Sequence, residues 1–119
     1  MKPDKAKYIE KRPWGMFYVL IENSKCKIKK IEINPGHRLS YQYHNKRSEV
    51  WIVIDGQLSV ILDDVEHRLS KEDSIVIPKK SKHRAQNLTG SKVSFIEVQT
   101  GEYFVEDDIV RLNDDYNRV

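Results

Sequence analysis

The sequence predicts an all-β protein, a sandwich or a barrel, on two observations. Turn signals recur about every 8 to 12 residues, among them ENSK, NPGH, DG and LTGSK, and short β-branched and aromatic runs lie between them. In addition, no window longer than about ten residues keeps the apolar period of a helix. We therefore expect strands throughout the core and helix, if any, only at the ends of the chain.

The predicted strands follow one another from SKCKIKKIEI to KVSFIEVQ, with GHRLSYQYH, VWIVI, QLSVIL, SIVIP and KHRAQN between them. The lysines of the first strand are expected on a solvated face. The dipeptide Asp55-Gly56 joins VWIVI to QLSVIL and is the strongest local hairpin signal, because a type I′ turn requires positive φ at both central residues. We expect these two flanking strands to pair antiparallel.

The chain length of 119 residues is that of one domain with one core. We expect a single domain over residues 1–119, with a core at about 14–99 and a C-terminal extension at about 100–119. The first dozen residues predict a short, loose N-terminal arm, whereas the last stretch, GEYFVEDDIVRLNDDYNRV, is acidic and turn-rich.

Composition excludes several functional classes. The net charge of +3 is slight and basic residues are interleaved with acidic ones, so no nucleic-acid partner is expected, although a small anionic ligand is compatible. No apolar run approaches the roughly 18 residues of a membrane span, and the basic N-terminus lacks the apolar segment of a secretory signal. Cys26 is the only cysteine, which excludes a disulfide framework and fits a reducing compartment. We expect a cytoplasmic protein without membrane association.

Polar side chains occur on the predicted strands where a plain sheet would carry valine or threonine. Alternation along a strand places Gln42 and His44 on one face, together with Arg38 if the strand is unbroken. After the NKRS turn the chain returns with Glu49, and a hairpin here would bring its carboxylate against that face. His83 lies on a later strand. We expect these imidazole, carboxylate and amide groups to converge on one site.

The predicted metal ligands are Gln42, His44, Glu49 and His83. Two imidazoles, one carboxylate and one amide oxygen suit a single divalent ion, which would be Zn²⁺, Co²⁺, Ni²⁺, Mn²⁺ or Fe²⁺. The absence of thiolates favours a catalytic site, with coordination positions open to water or substrate, over a closed structural site.

The same residues resemble the two sequence motifs of the cupin family. The matching positions are Gly36, Gln42, His44, Glu49 and Gly56 in the first motif and Pro78, His83 and Asn87 in the second. Gln42 stands where many cupins have their first histidine, and Lys80 stands where the second motif usually has glycine. The resemblance implies a double-stranded β-helix, which is a jelly-roll-like barrel, and a homodimer formed through sheet edges.

Longer segments narrow this resemblance to the cupin domain of type II mannose-6-phosphate isomerases. They are RPWG, PGHRLSYQYH, RSEVW, IPKKSKHR, EVQTGEY, EDDIVR and DDYNR, and they span roughly Arg12 to Arg118. In that family the domain often forms the C-terminal part of a bifunctional enzyme with a mannose-1-phosphate guanylyltransferase domain, so a separate guanylyltransferase is an expected partner. Val50 and Asn117 depart from the family pattern, which usually has histidine and glycine there.

The resemblance implies a metal-dependent isomerase that interconverts mannose 6-phosphate and fructose 6-phosphate through an enediol intermediate. Arg111 in EDDIVR is expected to fold over the barrel mouth and to hold phosphate or a developing oxyanion. Arg38 either contacts the phosphate or forms a structural ion pair. Glu97 shares one face of FIEVQ with Gln99, facing a cavity or solvent, and is our nominee for the general base.

Two other functions stay open on the sequence. His44, Glu49 and His83 alone form the two-His-one-carboxylate triad of an Fe²⁺ oxygenase, although Gln42 and EDDIVR argue against that function. Alternatively, the chain is a non-catalytic module that binds a sugar phosphate or a nucleotide sugar without turnover. Oxygen uptake with bound iron would indicate the oxygenase, and ligand binding without isomerisation would indicate the binding module.

Overall fold

A computed structural model describes residues 6–116, which are predominantly β-strand. The strands in this range are β1 (Tyr8–Arg12), β2 (Gly15–Glu22), β3 (Cys26–Ile33), β4 (Tyr41–His44), β5 (Arg47–Asp55), β6 (Leu58–Leu62), β7 (Val65–Leu69), β8 (Ser74–Ile77), β9 (His83–Gln86), β10 (Val93–Gly101) and β11 (Ile109–Asn113). One antiparallel sheet has the order β1-β2-β3-β10-β5-β8, and the other has the order β11-β4-β9-β6-β7.

From β3 to β10 the chain passes repeatedly between the two sheets. β3, β5, β8 and β10 belong to the six-stranded sheet, whereas β4, β6, β7 and β9 belong to the five-stranded sheet. The fully buried side chains between the sheets include Trp51, Phe95, Ile33 and Leu58, as expected for facing sheets that share one apolar core. The predicted double-stranded β-helix, a jelly-roll-like barrel, is confirmed.

The Asp55-Gly56 turn does not form the predicted hairpin. β5 pairs with β10 and β8, whereas β6 pairs with β7 and β9, so this turn carries the chain from one sheet to the other. Only Gly56 of the two residues has positive φ, and a Cβ added to it would lie 3.0 Å from Val93 Cγ2, so the glycine permits a close crossing. A two-residue turn with positive φ at both positions occurs instead at Asp63 and Asp64, between β6 and β7.

Both ends of the described chain add strands to the sheets. The segment predicted as a loose arm forms β1, which pairs with β2 along its whole length. β11 lies in the predicted C-terminal extension and pairs with β4 beside the site described below. The 3₁₀ turn Glu106–Asp108 is the one helical segment in residues 6–116, and no helix there is long and apolar enough to cross a membrane. Asn117 lies outside the described residues.

Candidate metal centre

Three buried side chains from the two sheets meet inside the barrel. His44 ends β4 and His83 begins β9 in the five-stranded sheet, whereas Glu49 lies on β5 in the six-stranded sheet. One ligand atom of each lies within 4.8 Å of the other two. His44 Nε2 is 3.2 Å and His83 Nε2 is 4.0 Å from the Glu49 carboxylate. This cluster could hold a metal ion.

The cluster forms because the two sheets face each other, and the hairpin expected from the sequence is absent. β4 and β5 are consecutive strands, but they lie in different sheets. The turn between them is held by the Asp108 carboxylate, which accepts hydrogen bonds from the backbone N–H groups of Asn45 at 3.1 Å and Lys46 at 2.9 Å. Asp108 of the EDDIVR segment therefore anchors the turn that precedes Glu49.

Both imidazoles are oriented by backbone carbonyl groups. His44 Nδ1 is 3.2 Å from the Asp108 carbonyl oxygen, and His83 Nδ1 is 2.9 Å from the Ser81 carbonyl oxygen. An Nδ1–H that donates to a carbonyl leaves the Nε2 lone pair for a metal, which is the usual arrangement of ligating histidines. His83 Nε2 is buried and has no hydrogen-bond partner within residues 6–116. The donor set and this unsatisfied nitrogen fit a divalent ion.

The turn before His83 has a backbone conformation that favours glycine, the residue that cupins usually have where this chain has Lys80. Lys80 has a φ of +67°, in the left-handed region that favours glycine, and its N–H donates to the His44 carbonyl oxygen at 2.7 Å. A non-glycine residue in such a conformation costs about 1–3 kcal/mol. Lys80 therefore adopts this conformation despite its cost, and its N–H connects the turn before β9 to the end of β4.

Glu49 is held as a carboxylate although it is only 1% exposed. Burial alone would raise its pKa, but the adjacent His44 and the positive charge of Arg47 keep this pKa well below its usual value. Trp51 Nε1 donates to Oε1 at 2.9 Å and Arg47 Nε donates to Oε2 at 3.0 Å. At His83, burial lowers the pKa against the opposing effect of Glu49. The lowered pKa of His83 favours the neutral imidazole that metal binding requires.

Arg47 is a member of the site that the sequence reasoning missed. Its side chain is 3% exposed, and its Nη2 lies 3.3 Å from His44 Nε2. Arg47, Glu49 and Trp51 occupy the same inward face of β5, because alternate residues of a strand share a face. The available signal was a charged residue two positions before a predicted ligand in RSEVW.

Glu97 and Gln99 lie inside the barrel beside the cluster and not at the solvent face. They are 6% and 0% exposed, and Gln99 Nε2 donates to Glu97 Oε2 at 2.8 Å. Burial, reinforced by the negative charge of Glu49, raises the pKa of Glu97 to about 8. The role of Glu97 as a general base stays a prediction.

A pocket opens beside the cluster, and Gln42, Arg47, Glu97 and Arg111 contribute to its wall. In the five-stranded sheet, Gln42 is paired with His83 on one side and with Arg111 on the other. Gln42, the predicted fourth ligand, and Arg111, the predicted anion-binding residue, are thus neighbours in the wall of this pocket. Their roles stay predictions.

Arg38 lies outside the lining of this pocket. It forms an isolated bridge with Gln86, and no unbroken strand runs from it to His44. Its Nε and Nη2 donate to the two carboxylate oxygens of Asp115 at 2.7 and 2.9 Å. This is the structural ion pair that the sequence left open as the alternative, and the geometry adds no support for a phosphate contact.

Two lysines of β3 point into the barrel, contrary to the expectation of a solvated face. Lys27 and Lys29 are each 5% exposed, and Lys29 lines the pocket. The signal was present in the sequence, because both lysines occupy alternate positions of β3 on the same face as the buried Ile31 and Ile33.

Most of the chain matches one known protein family. Residues 4–114 match the family described as "Mannose-6-phosphate isomerase C-terminal". The chain belongs to this family. The match includes the whole cluster and the whole pocket lining.

Two relatives match this chain over a small part of their own length. Alginate biosynthesis protein AlgA of Pseudomonas aeruginosa is 42% identical over 107 residues, which are 90% of this chain and 22% of the relative. Mannose-1-phosphate guanylyltransferase of Escherichia coli K12 is 37% identical over 108 residues, which are 91% of this chain and 23% of the relative. The chain therefore spans less than a quarter of the length of these relatives.

A solved structure supports the fold of this mannose-6-phosphate isomerase C-terminal domain. The capsular polysaccharide assembling protein CapF of Staphylococcus aureus superposes with a TM-score of 0.80 at 19% identity, over 89% of this chain and 32% of that chain. At this level of identity the likeness concerns the fold alone.

Proposed function

We propose that this chain is a metal-dependent aldose-ketose isomerase that interconverts mannose 6-phosphate and fructose 6-phosphate. One observation carries the proposal: the buried cluster of His44, Glu49 and His83 adjoins a pocket with several cationic side chains, in a member of the mannose-6-phosphate isomerase C-terminal family. A divalent ion and an anionic sugar are the ligands that suit these two features.

The proposed metal ligands are Gln42, His44, Glu49 and His83. The ion is Zn²⁺, Co²⁺, Ni²⁺, Mn²⁺ or Fe²⁺, and when bound it supplies a Lewis acid that polarises the sugar carbonyl. The chain itself holds the ligands in position: Trp51 and Arg47 donate to the two oxygens of Glu49, and backbone carbonyls orient both imidazoles.

The proposed proton transfer uses residues that line the same pocket. Glu97, in its deprotonated carboxylate form, takes the proton from C2 of the open-chain sugar and returns it to C1, while a second proton passes from the C2 hydroxyl to the C1 oxygen. Gln99 holds the Glu97 carboxyl by its hydrogen bond. Arg111 approaches from the facing sheet and stabilises negative charge that develops on oxygen.

We also propose that the chain works as a cytoplasmic homodimer together with a guanylyltransferase. The E. coli relative is named as a mannose-1-phosphate guanylyltransferase, and it extends well beyond the part matched here. A guanylyltransferase domain would therefore lie either on a longer form of this chain or on a separate protein.

A coupled assay of fructose 6-phosphate formation from mannose 6-phosphate tests the function. Protein stripped of metal is assayed after addition of each of the five ions in turn, with His83→Ala as the site variant and His67→Ala as the matched control on the exposed strand β7. We expect turnover to return with at least one ion, to vanish in His83→Ala and to persist in His67→Ala.

A negative result in this assay would distinguish the isomerase from the two other candidate functions. No turnover in protein shown to bind each ion would refute the isomerase and favour the binding module. Oxygen uptake by the Fe²⁺-loaded protein would instead favour the oxygenase.

A further inference from the structure

A row of inward-facing residues crosses the six-stranded sheet and leads away from the metal cluster. Trp51 on β5 lies opposite Glu97 on β10, and Glu97 lies opposite Lys29 on β3. Lys29 is therefore two strands away from β5, a separation of about 9.5 Å between backbones. Glu49 is the next inward residue of β5 before Trp51. The row thus begins at the cluster and continues along the pocket.

Lys29 places a buried positive charge in the pocket wall. The side chain is 5% exposed, and Nζ lies 4.2 Å from the centroid of the Phe17 ring. A buried ammonium group needs anionic or polar groups beside it, and the carboxyl group of Glu97, opposite Lys29 on β10, is one of them. Among residues 6–116, the wall carries four cationic residues, Arg12, Lys29, Arg47 and Arg111, and one carboxylic acid, Glu97. With Glu10 and Glu49, which pair with Arg12 and Arg47, the wall and its direct partners hold four basic and three acidic groups, a slight excess of positive charge that suits an anionic ligand.

Arg12 brings a second cation to the same aromatic ring. Its guanidinium carbon lies 5.0 Å from the Phe17 centroid, its Nη2 forms an ion pair with Glu10, and its Nη1 donates to the Lys11 carbonyl oxygen at 2.9 Å. The motif RPWG shapes this approach: Trp14 is buried in the core, and a Cβ on Gly15 would clash with the backbone of β3. The tight connection between β1 and β2 therefore positions Arg12 at the pocket wall.

We propose that Lys29 and Arg12 form a phosphate-binding subsite, so that the sugar phosphate lies along the inner face of the six-stranded sheet with its carbonyl end at the metal cluster. The inference rests on the proposed function and names the residues that recognise the phosphate. An open-chain hexose 6-phosphate carries its phosphate on C6, five carbons from C1. The distance from C1 to the phosphate in the extended sugar is comparable to the separation of about 9.5 Å that two strand spacings give. Arg111, on the facing sheet, then serves the reacting oxygens.

Isothermal titration calorimetry of the metal-loaded chain tests the subsite without requiring turnover. The probes are mannitol 6-phosphate, an acyclic hexitol phosphate that has no carbonyl to isomerise, and mannitol. The variants are Lys29→Met and Lys29→Arg. The matched control is Lys30→Met, because Lys30 lies on the outer face of β3 with its Nζ 5.2 Å from the centroid of the Tyr18 ring.

We expect Lys29→Met to lose about tenfold to a hundredfold in affinity for mannitol 6-phosphate, the range for a charged hydrogen bond, and to bind mannitol as the wild type does. Lys29→Arg should retain most of the affinity, and Lys30→Met all of it. An equal loss for both hexitols, or unchanged affinity for mannitol 6-phosphate, would overturn the proposal. If Lys29→Met does not fold, Arg12→Met at the pocket wall provides the same comparison.

The isomerase assay separates this inference from the function on which it rests. Phosphate-dependent binding that is lost in Lys29→Met, without isomerisation by the wild type, refutes the isomerase and leaves the subsite standing. Isomerisation by the wild type, with mannitol 6-phosphate binding unchanged in Lys29→Met, refutes the subsite and leaves the isomerase standing.

Discussion

The buried ion pair between Arg47 and Glu49 makes the metal-free protein sensitive to loss of one charge. Glu49→Gln keeps an oxygen that can accept the Trp51 N–H, but it removes the carboxylate that lies 3.0 Å from Arg47 Nε. Both side chains are at most 3% exposed. Removing one member of such a pair costs about 3–5 kcal/mol, because the other charge stays buried without this counter-ion. That loss is a large share of the roughly 5–15 kcal/mol stability of a domain.

Urea denaturation in the presence of a chelator, followed by tryptophan fluorescence, measures the effect. A loss of about 3–5 kcal/mol moves the midpoint by at least about 1 M urea, because the slope for small proteins is about 1–3 kcal/mol per M. Arg47→Met combined with Glu49→Gln should recover much of the loss, since neither buried charge remains. Glu66→Gln is the control: Glu66 pairs with Arg68 at 3.4 Å on the surface, and we expect a change below about 1 kcal/mol.

Two results would refute this reasoning. An unchanged midpoint for Glu49→Gln would mean that Arg47 does not depend on the carboxylate. Strict additivity in the double variant would mean that the two side chains contribute independently, although the structure places them in direct contact.

Three further predictions concern the pH dependence, the metal and the backbone. In the metal-free protein the folded state holds a proton on Glu97, whose pKa is raised from 4.5 to about 8, so stability is highest below pH 4.5 with respect to this group and falls as pH rises toward 8. Glu97→Gln should flatten that part of the curve in urea titrations, and an unaltered slope would contradict the assignment. Co²⁺ at a hundredfold excess over its Kd should stabilise the protein by about 2.7 kcal/mol in thermal scans, and His83→Ala should abolish most of this gain. Gly15→Ala should lower the Tm by at least about 5 °C, because its Cβ would lie 2.0 Å from the Glu32 carbonyl oxygen, whereas Gly90→Ala, with nothing within 4 Å, should leave the Tm unchanged.

Local patterns predicted much of the fold because strand and turn signals depend on neighbouring residues. The alternating runs became strands, and the chain bends at Gly56 directly after β5, although the expected hairpin turn does not form there. The partner of the strand after that turn was predicted wrongly, because a turn dipeptide specifies local backbone conformation and not the sheet that the next strand joins. The N-terminal strand was missed for a related reason: β1 is held by its pairing with β2 and has a weak apolar pattern of its own.

The candidate site was predictable in its residue types and less so in its surroundings. The spacing of His44, Glu49 and His83 was sufficient to propose a cluster, and the structure brings the three together. Arg47 and Lys29 were missed, because charged side chains on strands are usually solvated, and their burial depends on what faces them. Sequence spacing alone does not reveal an opposing sheet.

By itself, the sequence determined the all-β class, the approximate strand segments, the residue types of the cluster and the resemblance to an isomerase family. Only the tertiary structure decided that Glu49 meets His44 across the barrel, that Lys29 lines the pocket, and that Arg38 pairs with Asp115 outside the pocket lining. The physical reason is that alternation determines the side of a strand on which a residue lies. Whether that side meets solvent, core or a facing carboxylate is decided by pairing between segments that are far apart in the chain.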